Sequence, residues 1–355
     1  MKKVLVAPLD WGLGHASRCV PIIRELQRQE CEVVIAGNGD ALALLRAEFP
    51  ATPSYPLPGY DPRYPGKGSM ALSMAVQLPH FARVIPAEHE AVGKIIREQS
   101  IDLIISDNRY GCWSNRIPSV FVTHQSNVIM PKGLGFLRGI ARKMNEGFIN
   151  RFQLLWIPDV PGDDSLAGDL ASVRSKELIA KTRYVGWLSR FNHTSHSETI
   201  RYDVIAILSG PEPQRTLFED ILLPQLRESG LRYLVVRGLP SSPDVIPDQS
   251  VINFMGLSQL QQVIRSAATV VSRSGYSTVM DMQAMGRKVI FVPTPGQTEQ
   301  EYLAGRLMEK GVAFTMPQSR FRLSAALVES KKYSGFKPSE ENDLLARAIH
   351  NLMSG

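Results

Sequence analysis

Short apolar runs alternate with helical segments along the whole chain, and this alternation restricts the fold more than any other feature. The runs KVLVAPL (3–9), EVVIAG (32–37) and DLIISD (102–107) consist mostly of Val, Ile and Leu. The segments between them carry apolar residues at the spacing of one helix face. Strands that are apolar throughout and joined by helices are typical of a parallel sheet covered on both faces. The alternation therefore predicts an α/β fold.

The alternating pattern occurs twice. A polar stretch without periodicity, 186–202, interrupts it, and a second series begins with DVIAILSG (203–210). A chain of 355 residues is also too long for one ordinary core. We therefore expect two Rossmann-like domains, 1–190 and 200–335, that face a central cleft, and a C-terminal helix in 336–355 that packs back toward the first domain. Ligands of such sheets bind beyond the carboxyl ends of the strands.

The net charge of the chain is compatible with several kinds of partner. A net charge of +6 suits nucleic acid, anionic lipid or a phosphorylated ligand. The basic residues are not interleaved with aromatic residues and form no nucleic-acid reader motif, so we expect no nucleic-acid partner. Three scattered cysteines, a short apolar N-terminal run and the lack of an 18-residue apolar stretch favour a cytoplasmic protein without membrane spans.

The segment 272–300 combines a helix start with an unusual number of polar residues. Unpaired N–H groups at a helix start attract phosphate, and Gly275 allows close approach of a ligand to the backbone. Asp281 lies four residues after Ser277, hence on the same helix face, where its carboxylate could accept both hydrogens of a ribose diol. The other candidate ligands here are Arg273, Ser274 and Thr278. The alternative is an ordinary helix whose backbone donors are capped by Ser274.

A glycine loop follows the first predicted strand. Gly12, Gly14 and His15 lie where that strand leads into a helix. A histidine titrates near neutrality and can take a proton from a hydroxyl group, so His15 is a candidate general base. The alternative is a histidine that bonds only to the local backbone.

The motif from Arg273 to Asp281, followed by Gly286, Val292-Pro293 and Glu299-Gln300, resembles the carboxyl-terminal domain of family 28 GT-B glycosyltransferases, which use UDP-sugars. The glycine loop resembles the Gly-x-Gly-His loop of the same superfamily. The resemblance implies that Asp281, in place of a Glu, binds the ribose and that Glu299 and Gln300 contact the donor sugar.

The resemblance also assigns residues at other predicted strand ends. It implies that Ser209 and Gly210 face the donor diphosphate and that Phe254 and Met255 hold the uracil. Asp107 would orient His15, as in plant-type glycosyltransferases of this fold, or would be a turn residue. His124 and Asn127 would line the acceptor side, or would only shape their loop.

The resemblance implies an inverting glycosyltransferase that moves a sugar from a UDP-sugar, which is a substrate and not a cofactor, to a hydroxyl acceptor such as a lipid or cell-envelope glycan. His15 would deprotonate the acceptor, and domain closure would exclude water. The chain contains no Asp-x-Asp pair, so we expect no metal. Helix N-termini would stabilise the leaving diphosphate instead.

Two alternatives stay open on the sequence. The UDP-sugar hydrolase of the pseudaminic acid pathway shares the second-domain motif and a Gly-x-Gly-His-x-x-Arg loop, which Gly12, Gly14, His15 and Arg18 also satisfy. In that case water would replace the acceptor. The other alternative is a non-catalytic protein that binds a nucleotide-sugar.

The segment 132–152 has apolar residues at helical spacing among basic residues. Such a helix could lie on anionic lipid at the inner face of the cytoplasmic membrane, or it could be a core helix with a solvated basic face. The apolar set is Phe136, Leu137, Ile140, Ala141, Met144 and Phe148, and the basic set is Lys132, Arg138, Arg142, Lys143 and Arg151.

Overall fold

The computed structural model describes residues 1–66, 70–127, 129, 135–191, 199–240, 242, 248–337 and 343–354. They group into two compact units. The first comprises Met1–Asp61, Ala75–Leu188 and Asn342–Gly355, and the second comprises Pro62–Met74 and Ser189–Glu341. The segment Pro62–Met74 thus groups with the second unit, although the sequence pattern puts it inside the first domain. Lys132 and residues 192–198 of the polar stretch lie outside the described ranges.

The predicted α/β class is confirmed, because each unit contains a wholly parallel sheet with helices between its strands. The strands are β1 (Lys3–Pro8), β2 (Glu32–Gly37), β3 (Ser54–Pro56), β4 (Leu103–Asp107), β5 (Ser119–Val122), β6 (Leu154–Ile157), β7 (Thr182–Tyr184), β8 (Tyr202–Ile207), β9 (Tyr233–Val236), β10 (Val251–Ile252), β11 (Ala267–Ser272), β12 (Val289–Phe291) and β13 (Phe314–Thr315).

The helices are α1 (Leu13–Arg28), α2 (Gly39–Glu48), α3 (Met70–Gln99), α4 (Arg138–Ile149), α5 (Lys176–Lys181), α6 (Gln214–Glu228), α7 (Leu257–Arg265), α8 (Tyr276–Met285), α9 (Thr298–Glu309), α10 (Leu323–Ser330) and α11 (Leu344–Ser354). In the described ranges, no helix is both long enough and apolar enough to cross a bilayer.

The first sheet has seven strands within the described residues, in the order β3-β2-β1-β4-β5-β6-β7. The order reverses between β1 and β4, whose register pairs Pro8 with Asp107. All residues of β4 are buried, as expected for a strand with helices on both faces. The loops that leave β1 and β4 therefore meet at the point where ligands of open α/β sheets bind.

Helix α1 shows how the sequence pattern becomes packing. Its residues Val20, Ile23 and Leu26, which share one face, are fully buried. Helix α11 packs against α1 within the first unit, and the Gln29 side-chain amide donates to the carbonyl of Ala346 over 2.9 Å. The C-terminal helix is thereby part of the first unit.

The second sheet has six strands within the described residues, in the order β10-β9-β8-β11-β12-β13. Its order reverses between β8 and β11, where Ile207 pairs with Ser272. One face of this sheet packs against an apolar core with α6 and α10, in which Phe218 and Phe321 make an edge-to-face contact. The loops after β8 and β11 consequently share the carboxyl edge of this sheet.

Candidate functional site

The loop after β1 turns sharply into α1. Gly12 is the residue before the helix and has a φ of 82°, a conformation that favours glycine. The turn puts His15 in the first turn of α1, beside the end of β4. Gly12 and Gly14 therefore shape the backbone at this turn.

His15 and Asp107 contact each other in the first unit. Asp107 is the last residue of β4 and is fully buried. His15 Nδ1 lies 2.8 Å from Asp107 Oδ1. Arg18 Nη2 lies 2.6 Å from the same Nδ1. A carboxylate can only accept and a guanidinium can only donate, so Nδ1 donates to Asp107 in one tautomer and accepts from Arg18 in the other. The first tautomer leaves Nε2 as the basic nitrogen of the ring.

Arg18 links this pair to a second histidine. One turn of α1 after His15, Arg18 donates from Nε and Nη2 to the two carboxylate oxygens of Asp107. Its Nη1 lies 3.1 Å from Nδ1 of His124, a buried residue that follows β5. An arginine has no acceptor, so Nδ1 of His124 accepts and its proton is on Nε2. The sequence pattern contained Arg18 but gave no sign that it joins three other side chains.

The charges of the cluster set the protonation states of Asp107 and His15. Burial alone would raise the pKa of Asp107, but Arg18 and His15 hold it at about 2. Burial, together with the nearby Arg18 cation, lowers the pKa of His15 below its usual 6.5. At neutral pH the carboxylate is therefore ionised and the imidazole is neutral.

A second buried ion pair holds the loop after β4 against the end of β1 and against α3. Arg109, which follows β4, donates to Glu88 Oε1 over 2.5 Å and to the carbonyl of Pro8 over 2.7 Å. Glu88 also accepts from the backbone N–H of Gly111. Sequence reasoning missed this pair, since isolated charged residues in a loop and a helix carry no pattern.

Asn127 differs from its expected role on the acceptor side. Its side-chain amide donates to the carbonyl of Asp169 over 3.0 Å, and its backbone N–H donates to Leu170. The residue is buried. It therefore fastens its own loop to the segment that follows β6.

In the second unit, the predicted donor residues lie at the carboxyl edge of the sheet. Ser209 and Gly210 follow β8, and Gly210 is exposed with a φ of 105°. Phe254 and Met255 follow β10 and are half-buried. The residues of the longer motif follow β11 and β12. Parallel pairing brings all four loops to one edge.

The N-terminus of α8 has no side-chain cap and is open at Gly275. Its N-cap, Gly275, has a φ of −66° and no side-chain cap, and a Cβ atom placed there would meet no other atom within 4 Å. The interpretation of Ser274 as the cap is wrong, because its hydroxyl donates to the carbonyl of Gln300 over 2.7 Å. Ser277 and Thr278, in the first turn, are half-exposed.

Arg273 differs from the expectation that it adds charge to the donor site. Its Nη2 donates to the carbonyl of Gln214 and to Gln318 Oε1, each over 2.7 Å. Its Nη1 donates to the carbonyl of Val292, and the guanidinium lies 4.5 Å from the centre of the Phe218 ring. Arg273 is only 1% exposed, so it joins the segments that carry Gln214, Val292 and Gln318 from the interior of the unit.

Asp281 holds two residues that the sequence assigned to a linker. Its Oδ1 accepts from the Ser189 hydroxyl over 2.8 Å, and its Oδ2 accepts from Arg190 Nε over 3.1 Å. Burial raises the pKa of Asp281, against the opposing effect of Arg190. Arg190 thus brings a cation to α8, where the sequence had suggested Arg273.

The loop before α9 is held by its own side chains. Gln297 caps the helix by accepting from the backbone N–H of Gln300 over 3.1 Å. Gln300 Oε1 accepts from the N–H of Thr294 over 2.9 Å, and Glu301 accepts from Gly296. Glu299 and Gln300 therefore start the helix in a defined orientation.

The lowered pKa of His15 predicts a pH-dependent stability. Between pH 7.5 and 5.5 the unfolded chain binds a proton at His15 that the folded chain excludes, so the free energy of unfolding should decrease as the pH is lowered. The variant His15→Gln lacks this contribution. Its free energy of unfolding minus that of the wild type should therefore increase as the pH is lowered. Urea denaturation at several pH values measures it. The exposed His350→Gln serves as the control, and a wild-type to His15→Gln difference that is constant with pH would contradict the prediction.

The chain is similar in sequence to known glycosyltransferases. The sequence model of the glycosyltransferase family 28 C-terminal domain matches residues 242–347. The chain is 22% identical over 352 residues to an "uncharacterized glycosyltransferase" of Methanosarcina mazei, an alignment that covers 93% of this chain and 91% of that protein. It is 28% identical over 233 residues to the UDP-N-acetylglucosamine–N-acetylmuramyl-(pentapeptide) pyrophosphoryl-undecaprenol N-acetylglucosamine transferase of Methylorubrum extorquens, covering 60% of this chain and 58% of that one.

A solved glycosyltransferase structure has a fold similar to that of this chain. The spinosyn rhamnosyltransferase SpnG, solved in complex with thymidine diphosphate, superposes with a TM-score of 0.59 at 12% identity, over 100% of this chain and 95% of that one. At this identity the likeness shows the fold alone. Together the comparisons show a family 28 C-terminal domain at residues 242–347 and, with the two parallel-sheet units, a GT-B fold.

Proposed function

We propose that the protein is an inverting transferase that moves a sugar from a UDP-sugar to a hydroxyl acceptor. The observation that carries the proposal is the contact between His15 and the buried, ionised Asp107. A neutral imidazole that donates Nδ1–H to a carboxylate presents Nε2 as the base that takes a proton from a hydroxyl group. The first unit would bind the acceptor, and the second would bind the donor.

The donor diphosphate would bind at the start of α8. The backbone N–H groups of the first turn and the helix dipole favour an anion there, and Gly275 leaves the space open. Asp281 would accept from the ribose hydroxyls in place of the Ser189 hydroxyl, with Arg190 close by. The uridine is inferred from the relative in Methylorubrum extorquens, whose name specifies a UDP-sugar, while SpnG was solved with thymidine diphosphate.

The reaction would be a single displacement. The acceptor oxygen attacks the anomeric carbon while His15 Nε2 takes its proton, and the bond between that carbon and the phosphate oxygen breaks. UDP leaves with the bonding electron pair on its terminal oxygen. Asp107 stabilises the imidazolium that forms, and the N–H groups of α8 stabilise the leaving diphosphate without a metal. Attack from the face opposite the leaving group inverts the anomeric carbon.

The substitution Gly275→Ala tests the diphosphate position. The φ of −66° suits alanine and the added methyl group meets no protein atom, so the fold should persist. The methyl group would occupy the space of the phosphate and should weaken UDP binding by about tenfold or more. Isothermal titration with UDP measures this. Gly305→Ala, in α9 of the same unit, is the control, and equal UDP affinity in both variants would refute the diphosphate position.

The substitution His15→Ala tests the base. It should lower the rate of transfer by about 10² to 10⁴-fold and leave UDP affinity unchanged, because His15 would act on the acceptor. Mass spectrometry of products formed from UDP-sugars and cell-envelope extract measures transfer, and the exposed His350→Ala is the control. Full transfer activity in His15→Ala would overturn its role. Release of UDP at the same rate without any extract would indicate a hydrolase instead.

The exposed face of α4 supports a peripheral contact with anionic lipid. Phe136, just before α4, is 78% exposed, and Ile140 and Met144 follow at helical spacing with 60% and 59% exposed. Arg138 and Lys143 are exposed beside them. The interpretation of this segment as a core helix is therefore wrong for these three residues. An apolar row flanked by cations suits the surface of an anionic bilayer and would bring a lipid-linked acceptor to the enzyme.

The double substitution Phe136→Ser with Met144→Ser tests this contact. It should reduce binding to phosphatidylglycerol vesicles by roughly tenfold, because two apolar side chains no longer leave water. Sedimentation with vesicles at low and high salt measures binding. The pair Ile179→Ser with Val328→Ser, also at exposed positions, is the control. Equal vesicle binding by the two double variants would exclude α4 as the contact.

A further inference from the structure

The segment Pro62–Gly66, here called the strap, packs on the second unit although it follows β3 of the first. The Gln214 side chain, at the start of α6, donates to the carbonyl of Pro65 over 2.8 Å. A Cβ atom on Gly66 would lie 3.2 Å from Pro213. Close to the strap in sequence, Met70 is near enough to Gly296 that a Cβ there would lie 3.1 Å away. The chain thus touches the loops before α6 and α9.

Tyr64 of the strap faces the residues that cap α9. Its phenol is hydrogen-bonded to the side chain of Gln297, and Glu299 is close enough to act on its charge. Burial raises the pKa of Tyr64 to about 12, so the phenol is neutral at physiological pH. Gln297 Oε1 already accepts from the backbone of Gln300. The Gln297 Nε2 group therefore donates to the Tyr64 oxygen, and Tyr64 keeps its own hydrogen.

Hydrogen bonds continue from Tyr64 to the start of α8. Gln297 holds the backbone N–H of Gln300, and the Gln300 carbonyl accepts from the Ser274 hydroxyl. Ser274 precedes Gly275, where the diphosphate would bind. Because the amide of Gln297 has one end on Tyr64 and the other on α9, Tyr64 fixes which way that amide points. The orientation of Glu299 and Gln300 follows from it.

We propose that Tyr64 determines donor-sugar specificity, as a positioning residue that orients Gln297 and, through it, Glu299 and Gln300 toward the hydroxyl groups of the sugar ring. The ligand class is a nucleoside diphosphate hexose, recognised through hydrogen bonds to its hydroxyl groups. This inference rests on the proposed donor site in the second unit. It adds Tyr64, which lies outside the donor motif. Although the strap follows β3 of the first unit in the sequence, it belongs to the second unit.

Comparing the affinity for the sugar nucleotide with the affinity for the free nucleoside diphosphate distinguishes this role from a structural one. Wild type, Tyr64→Phe and Gln297→Ser are titrated calorimetrically with UDP and UDP-N-acetylglucosamine, and with dTDP and dTDP-glucose as a second pair. Tyr64→Phe removes the phenol oxygen and keeps the ring. Gln297→Ser keeps a helix cap, but its short, neutral side chain does not reach Tyr64. Each should bind the sugar nucleotide about three- to tenfold more weakly, the effect of one hydrogen bond, and the free diphosphate equally well. Tyr333→Phe, at a ring packed against Phe314, is the control.

The possible results separate the inference from the donor site itself. If wild type binds neither pair, the donor site is disproved and the inference about Tyr64 fails with it. If wild type binds but Tyr64→Phe weakens the diphosphate and the sugar nucleotide equally, or neither, the donor site stands and the specificity role is overturned. A selective loss for the sugar nucleotide, in Tyr64→Phe and Gln297→Ser and not in Tyr333→Phe, supports it.

Discussion

Parallel pairing in both sheets brings the loops that carry most candidate residues of each unit to one edge of its sheet. All strands of one sheet run the same way, so the loops that carry polar side chains leave from a single edge. In the first unit this brings Asp107 to His15, since the end of β4 lies beside the end of β1. In the second unit it brings the loop after β11 to the loop before α9, which meet through Ser274 and Gln300.

Burial then gives these residues their chemistry. Asp107 is charged in the interior only because Arg18 binds both of its oxygens and His15 binds one. Arg18 is 2% exposed, and losing a partner would leave an unpaired charge in a poorly solvated place. The same arrangement that makes the ion pair costly to break also keeps the neighbouring imidazole neutral. Stability and the proposed proton transfer at this position therefore depend on one set of contacts.

The sequence was sufficient for the fold, since Val, Ile and Leu runs joined by helical segments allow few alternatives to parallel sheets. It also located His15, Asp107 and the α8 start, because glycine turns and strand ends are local features. It was wrong about Ser274 as a cap and did not foresee the interior position of Arg273, because their partners lie 19 or more residues away in the sequence. Arg190 and Tyr64 lie in polar stretches without periodicity, and only tertiary packing assigns them partners.

The burial of Arg273 has a consequence for how changes in this chain would be judged. Its guanidinium bonds to carbonyl groups of two loops and lies over Phe218, a planar geometry that lysine cannot reproduce. A genetic screen that scores only survival or product would rank Arg273 with the residues that bind substrate. Its loss would act earlier, during folding, because the loops that carry the proposed donor-binding residues would no longer be joined. Intolerance to replacement at this position would report architecture rather than chemistry.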